Sequence, residues 1–564
     1  MTLAEISPGL TLLAGGLLLP FFTGRVRGAV MILIPLAGLV HLTQLSTGDF
    51  GTVHMLGQEL ITLRVDRWSM VFAWIFMIAA LLSAIYALHL RSPLQSSVGF
   101  VYAGSAVGAV FAGDLLTLFF WWELTALSSV LLVWAGGTHT AYAAGMRYLV
   151  VQVASGLLLL LGALQHWSAT GSLEFTHLGL DAPGAWLIFL AFGIKCAFPF
   201  LHNWLQDAYP EASEVGTVLL SAFTTKLAVY ALARGFAGTE ILVPIGAAMT
   251  AFPIFYAVIE NDLRKVLAYS LNNQLGFMVV GIGIGTELSL NGTAAHAFTH
   301  ILYKALLFMS MGAVLFRVGT VKGSELGGLY KSMPWTTAFC IVGAASISGV
   351  PLFSGFVSKS MIVSAAGYEA YLITWAVLLF ASAGVFHHSG IKIPYFAFFA
   401  HDSGKRCDEA PMNMLVAMGL AAFLCIAIGV APGPLYALLP YPVEYAPYTA
   451  SHVLAQLQLL VFSALAFSVL MWTRIYPPEL RSVNLDFDWF YRVPGKRLAL
   501  WLIERGGAVR TRLVRALGPR ADRVLDGLFR SHGPQGVLAR TSPTGSMVLW
   551  VAVLLAVLLL ASYL

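Results

Sequence analysis

The chain has 564 residues, 58% of them hydrophobic and only 10% charged, with a mean hydropathy of +0.80 and a formal net charge of +5. That balance excludes a soluble globule and points to a membrane protein. The four cysteines, Cys196, Cys340, Cys407 and Cys425, show no metal or redox spacing. The sequence also has no GxGxxG, no P-loop and no metal-ligand cluster, so neither a cofactor nor a metal is expected.

Apolar runs of membrane-spanning length recur along the chain, about fifteen of them with a sixteenth at the C-terminus. They fall near 6–22, 29–45, 68–91, 97–112, 115–134, 144–165, 184–206, 214–236, 241–259, 265–286, 294–317, 335–365, 371–399, 412–430, 455–475 and 547–563. The first run has no basic residues before it and reads as a membrane helix rather than a cleaved signal. Basic residues gather in alternate loops: Arg25 and Arg27, Arg91, Arg147, Arg264 and Lys265, Arg317 with Lys322 and Lys331, and Lys405 with Arg406. Those loops are expected in the cytoplasm, which puts the N-terminus outside.

Two runs contain a central proline, Pro199 in GIKCAFPFLHNW and Pro351 in SISGVPLFSGF. Proline removes an intrahelical hydrogen bond. Paired broken helices in two halves are a transporter signature. Their spacing predicts two five-helix repeats, 97–236 and 241–399, the second inverted because five is odd. The remaining segments are 1–96 (three helices), 412–475 (C-terminal helices), 476–545 and a last span, 546–564. Between Arg474 and Arg540 there are 13 Arg/Lys against 6 Asp/Glu, a surplus of 7. Apolar residues at helical spacing alternate with those arginines, so 476–545 reads as one or two cytoplasmic amphipathic helices at the membrane surface.

Ionisable groups at membrane depth are costly and mark ion or proton paths. Glu123 follows FFWW, and Lys195 lies four residues before Pro199. Lys226 sits in FTTKLAV after Thr224 and Thr225, and Lys359 follows Pro351. Glu123 with Lys195 is the expected ion pair, either structural or part of a path. His296, His300 and Lys304 are spaced i, i+4, i+8 and so share one helix face. That stripe reads as a proton relay rather than a metal site, because the helix offers no nearby carboxylate. Tyr269, Asn272, Asn273 and Gln274 either line a water path or join helices. His202, Asp207, Glu211 and Glu214 either collect protons or are loop polarity. Lys392, close to His387 and His388, is a weaker terminal candidate.

FFWWELTALSSVLLVW, GIKCAFPFLHNWLQDAYPEASEVGTVLLSAFTTK, LRKVLAYSLNNQLGFM, HAFTHILYKALLFMSMGAV and SGVPLFSGFVSK carry a family resemblance. The region 65–410 resembles the antiporter-like membrane subunits of respiratory complex I, membrane-bound hydrogenases and Mrp cation/proton antiporters, most closely the Mrp D subunit. The resemblance implies an all-α polytopic fold of about 14–16 membrane helices, with two inverted five-helix repeats and discontinuous helices 7 and 12. It implies a coupling pair Glu123–Lys195, a bridging Lys226, a central axis His296, His300 and Lys304, and a terminal Lys359. It also implies a proton-translocating subunit of a Na⁺/H⁺ antiporter in the bacterial or archaeal cell membrane, working beside other membrane subunits. A proton-pumping arm of a redox complex and a non-conducting scaffold are the alternatives. The tail after residue 475 departs from the pattern of that Mrp component.

Overall fold

The structure, a computed structural model, describes residues 5–55, 57–477, 479–480, 484–533, 536–537 and 544–563. Parts of the predicted segments 1–96, 476–545 and 546–564 lie outside the described residues. The chain divides into two units, Met1–Asn484 and Leu485–Leu564.

The first unit opens with α1 (Pro8–Leu18) and α2 (Gly24–Leu42). An antiparallel hairpin follows, β1 (Gly48–Met55) and β2 (Gln58–Val65). This hairpin is a short β element in an otherwise all-α chain. Its signal was the β-rich run QELITLRV after the Gly57 turn. It is tied to the helices by Arg64, whose guanidinium bonds Asp49, Glu174 and the Phe175 carbonyl. Those two carboxylates hold the guanidinium pKa above its usual value, the Asp49 hydrogen bond most strongly.

Next come α3 (Arg67–Tyr86), α4 (Pro93–Val110), α5 (Leu115–Trp134) and α6 (His139–Thr170). Side-chain caps set three of these starts: Asp66 accepts from Ser69 N, Asp114 from Thr117 N and Thr138 from Ala141 N, while α4 begins on Pro93. Then follow α7 (Ala185–Lys195), α8 (Asn203–Ala208), α9 (Glu214–Ala222), α10 (Thr224–Phe236), α11 (Leu242–Ile259), α12 (Leu263–Ile284) and α13 (Glu287–Val318). After these lie α14 (Pro334–Ser348), α15 (Ser354–Tyr368) and α16 (Leu372–Val385). A π-helical stretch Phe386–Ile391, the short α17 (Lys392–Pro394) and a second π-helical stretch Tyr395–Phe399 continue α16. The unit closes with α18 (Met412–Val430), α19 (Gly433–Leu438) and α20 (Ala450–Trp472).

Among the described residues, 11 helices are long and apolar enough to cross a membrane, and the protein is an all-α polytopic membrane protein apart from its hairpin. The sequence count is higher because it includes the short α1, the runs 184–206 and 335–365 that fold as shorter helices, α4, rich in Gly and Ser, and α12, which carries Arg264, Lys265 and three amides. It also missed one interruption. The run 214–236 divides at Phe223, where no proline or glycine marks the break.

The second unit contains α21 (Asp488–Phe490), a π-helical turn Tyr491–Gly495, α22 (Lys496–His532) and α23 (Thr544–Tyr563). The basic segment forms one long amphipathic helix, with Pro519 inside it. α23 is long and apolar enough to span a membrane.

Where helices cross closely, glycines make the room. A Cβ on Gly276 of α12 would lie 2.6 Å from the Gly246 carbonyl of α11, and a Cβ on Gly246 would lie 2.7 Å from the Gly276 carbonyl. Gly276→Ile should therefore push the pair apart and cost about 1–3 kcal/mol. A lowered thermal midpoint of the purified protein is the expected result.

Candidate functional site

The two proline breaks have the same backbone. α7 ends at Lys195, then Ala197 and Phe200 take positive φ (61° and 70°) on either side of Phe198 and Pro199. α14 ends at Ser348, then Gly349 and Leu352 take positive φ (70° and 74°) around Val350 and Pro351. Phe198 N bonds Gly193 O at 3.0 Å, and Val350 N bonds Ala345 O at 3.1 Å. Each is a left-handed helix cap with a five-residue back-bond, closed by a proline that cannot continue the helix. α8 and α15 resume after these turns.

Lysines cluster around helix ends and breaks. Lys195 is fully buried on the last turn of α7. Its Nζ donates to Trp122 O (2.6 Å) and Thr125 Oγ1 (2.8 Å) of α5 and lies 4.4 Å from the Trp122 ring centroid. Lys226 Nζ donates to Ser221 O (2.5 Å) at the C-terminal end of α9, and to Thr225 Oγ1 (3.3 Å). Lys359 Nζ contacts Ile347 O (3.4 Å) at the end of α14. Lys392 Nζ donates to Val258 O (2.6 Å) and Glu260 O (2.7 Å) where α11 ends. Helix C-termini carry partial negative charge and unpaired carbonyls. Three of the four ammonium groups are thus held by the ends of helices.

Glu123 and Lys195 are brought to one place without direct contact. They are close enough to interact electrostatically, but Lys195 takes a carbonyl and a hydroxyl beside Glu123 instead of its carboxylate. Among the described residues Glu123 Oε1 is buried without a hydrogen-bond partner. It lies over Gly156 of α6, so close that a Cβ there would collide with it. Trp122 Nε1 donates to Ser155 Oγ, which donates to Ala191 O, so α5, α6 and α7 are joined beside the charges.

The stripe on α13 is fully buried. His296 Nδ1 is 3.1 Å from Ser358 Oγ of α15, and its Nε2 is 3.1 Å from Gln274 Oε1 of α12. Tyr303 OH donates to the same Gln274 oxygen (3.2 Å), and Gln274 Nε2 donates to Asn273 Oδ1 (2.6 Å). Asn273 Nδ2 in turn donates to Thr250 O of α11. One polar network therefore crosses four helices, and Ser358 places it one residue from Lys359. The His300 ring lies 6.2 Å from His296 and 5.2 Å from Tyr303. Both His300 nitrogens and Lys304 Nζ are buried without hydrogen-bond partners among the described residues. Lys226 is near enough to act electrostatically on His296, His300 and Lys304, which joins the two halves of the row.

Beyond Lys304, His388 Nδ1 meets Ser389 Oγ (2.8 Å), which donates to Ser270 Oγ (2.7 Å). Lys392 forms a buried ion pair with Glu479 (2.8 Å). Glu479 was missed, because it lies in a loop sequence with nothing to mark burial. Asn484 Nδ2 and Lys265 both reach the neighbouring Glu260. The residues after the first break are held by polar contacts. Asp207 pairs bidentately with Arg147, Glu211 accepts from Thr140 and Glu214 lies 3.6 Å from His89. Tyr269 stacks on Tyr256, and Asn272 is buried. His202 is buried against Phe252, and His387 packs edge-on to Phe467 and beside Tyr476. Among the described residues no group of three His, Cys, Asp or Glu side chains converges as a metal site.

Gln274→Ala would strip His296 and Tyr303 of a shared acceptor. A stability loss of about 1–3 kcal/mol is expected, read as a lower thermal midpoint.

A family profile described as NADH:quinone oxidoreductase/Mrp antiporter, TM, matches residues 112–383. Hydrogenase-4 component B of Escherichia coli (strain K12) is 27% identical over 419 residues, 66% of this chain and 62% of that protein. The D subunit of the Na(+)/H(+) antiporter of Alkalihalophilus pseudofirmus is 30% identical over 353 residues, 58% of this chain and 71% of that protein. A chain in the structure of the membrane-bound sulfane sulfur reductase, an archaeal respiratory membrane complex, superposes with a TM-score of 0.72 at 23% identity, covering 98% of this chain and 99% of that one.

Proposed function

The chain belongs to the NADH:quinone oxidoreductase/Mrp antiporter transmembrane family, and from that premise we propose that it is the proton-translocating subunit of a multisubunit Na⁺/H⁺ antiporter. The observation that carries the reading is the buried row of Lys195, Lys226, His300, Lys304, His296 and Lys359, linked by carbonyls, hydroxyls and electrostatic reach across the bundle. No chemical step is needed. A charge change in a neighbouring subunit alters the field between Glu123 and Lys195. The Lys195 proton then moves by way of Lys226, His300 and Lys304 toward Lys359, with Lys392 at the other end of the second half. Other membrane subunits surround it in a bacterial or archaeal inner membrane, the N-terminus outside and 476–545 cytoplasmic.

The two inverted repeats and the full set of about 14–16 crossings, discontinuous helices 7 and 12 included, belong to the same reading. Local geometry supports it. α5 and α12 both start on an Asp cap, Asp114 and Asp262, each bridged to a residue further along the chain, Glu174 and Lys322. α6 and α13 are both 32 residues long and both end on a left-handed glycine, Gly171 and Gly319. The matching proline turns complete the correspondence. In this division 97–236 and 241–399 are the repeats, 1–96 and 412–475 flank them, and 546–564 is a last span.

A second reading is a proton-pumping subunit of a redox complex. It is raised by the likeness to hydrogenase-4 component B, 27% identical over 66% of this chain. Na⁺-dependent proton flux in inside-out vesicles carrying the intact complex, without respiratory substrate, separates the two. Flux that needs Na⁺ and disappears in Lys195→Ala is the expected result. Flux only after an electron donor is added would favour the redox pump. Gly156→Ala, which evicts the Glu123 carboxylate while keeping every charge, should lower flux by roughly tenfold or more with assembly unchanged. Full activity would remove Glu123 from the path.

A further inference from the structure

Lys359 opens into a cavity of about 220 Å³ between α15, α16 and α20, lined also by Ser360, Ser382, His452 and Gln456. A second cavity of about 910 Å³ opens at the same end of the bundle, lined by Glu287, Asn291, Glu444, Tyr445 and again His452. Among the described residues no Lys or Arg lines this second cavity. It sits at the Glu287 end of α13, opposite the basic end at Arg317. His452, together with Ser364, is thus shared by the Lys359 chamber and an acidic vestibule, and of the two it is the titratable group.

The local geometry suits proton passage. Water occupies about 30 Å³, so the smaller chamber has room for several molecules among polar partners. His452 is fixed by stacking on Phe356 (4.5 Å, 14°). Its Nδ1 lies 2.6 Å from Pro447 O. A carbonyl only accepts, so Nδ1 carries the hydrogen and Nε2 of the neutral ring holds the free lone pair. Gln456, one turn along α20, donates to Ser348 O (3.2 Å) and so pins α20 to the second proline turn.

We propose that His452 is the last relay residue of the path, taking the proton that leaves Lys359 at Nε2 and passing it to the vestibule of Glu287 and Glu444. The ammonium of Lys359 loses one proton and becomes an amine. His452 gains it as imidazolium and returns to neutral imidazole when the vestibule accepts it. This inference rests on the proton-translocating reading above.

The test is proton flux through the intact complex in vesicles, for wild type and His452→Ala, with and without added imidazole. Flux in His452→Ala is expected to fall roughly tenfold or more with normal assembly. Imidazole, small enough for the vestibule, should restore much of it and leave wild type unchanged. Unaltered flux in His452→Ala would overturn the proposal. So would a loss that imidazole does not rescue, because that marks a structural role. If His452→Ala fails to assemble, His452→Gln keeps a polar side chain of similar reach that does not titrate; a roughly tenfold loss of flux is expected, and unaltered flux would overturn the proposal. A wild-type complex with no flux under either Na⁺ or an electron donor would instead sink the proton-translocating reading itself.

Discussion

An ammonium group cannot rest in a membrane-spanning bundle unless something negative meets it, and here that partner is mostly backbone. Lys226, Lys359 and Lys392 reach carbonyls near the ends of α9, α14 and α11. Lys195 takes a carbonyl of α5 with a threonine hydroxyl. A helix end supplies unpaired oxygens and a partial negative charge worth up to about 2 kcal/mol when partly buried. It does so without fixing a full countercharge. A lysine held by a carboxylate alone would be locked as an ion pair, and removing one partner of such a pair is strongly destabilising. Carbonyl ends hold a lysine in either charge state. Helix ends are therefore what meet three of these lysines.

Lys304 is the exception that shows where the row is least satisfied. It and His300 sit at the centre of α13 without hydrogen-bond partners among the described residues, while His296 one turn earlier is bonded on both sides. Polar atoms so deep in the bundle are expected to bind water. The contrast divides the stripe into a part hydrogen-bonded to α12 and α15 and a part without such bonds, within electrostatic reach of Lys226.

The primary structure carried the long helices well, because apolar runs of that length have few alternatives. α5 matches its predicted range, and both proline turns fall where Pro199 and Pro351 put them. The one-face stripe of α13 was legible from its i, i+4, i+8 spacing. Other features were not. The break at Phe223 has no proline or glycine, and arises where Tyr102 OH captures Thr224 N and Lys226 captures Ser221 O. Those are tertiary contacts, invisible along the chain. The pairing of Lys392 with Glu479 joins residues far apart in sequence, and nothing along the chain marks the Trp122 carbonyl and Thr125 hydroxyl that Lys195 takes beside Glu123. The hairpin Gly48–Val65 was hidden between two strong helix signals.

The central claim is that protons cross the middle of the bundle through the α13 stripe. The most direct measurement is proton flux through the intact complex carrying Lys304→Leu, a change close in size that removes the one ammonium on that stripe. The account predicts flux at background with the complex still assembled. Flux at the wild-type level would contradict it and place the proton route elsewhere.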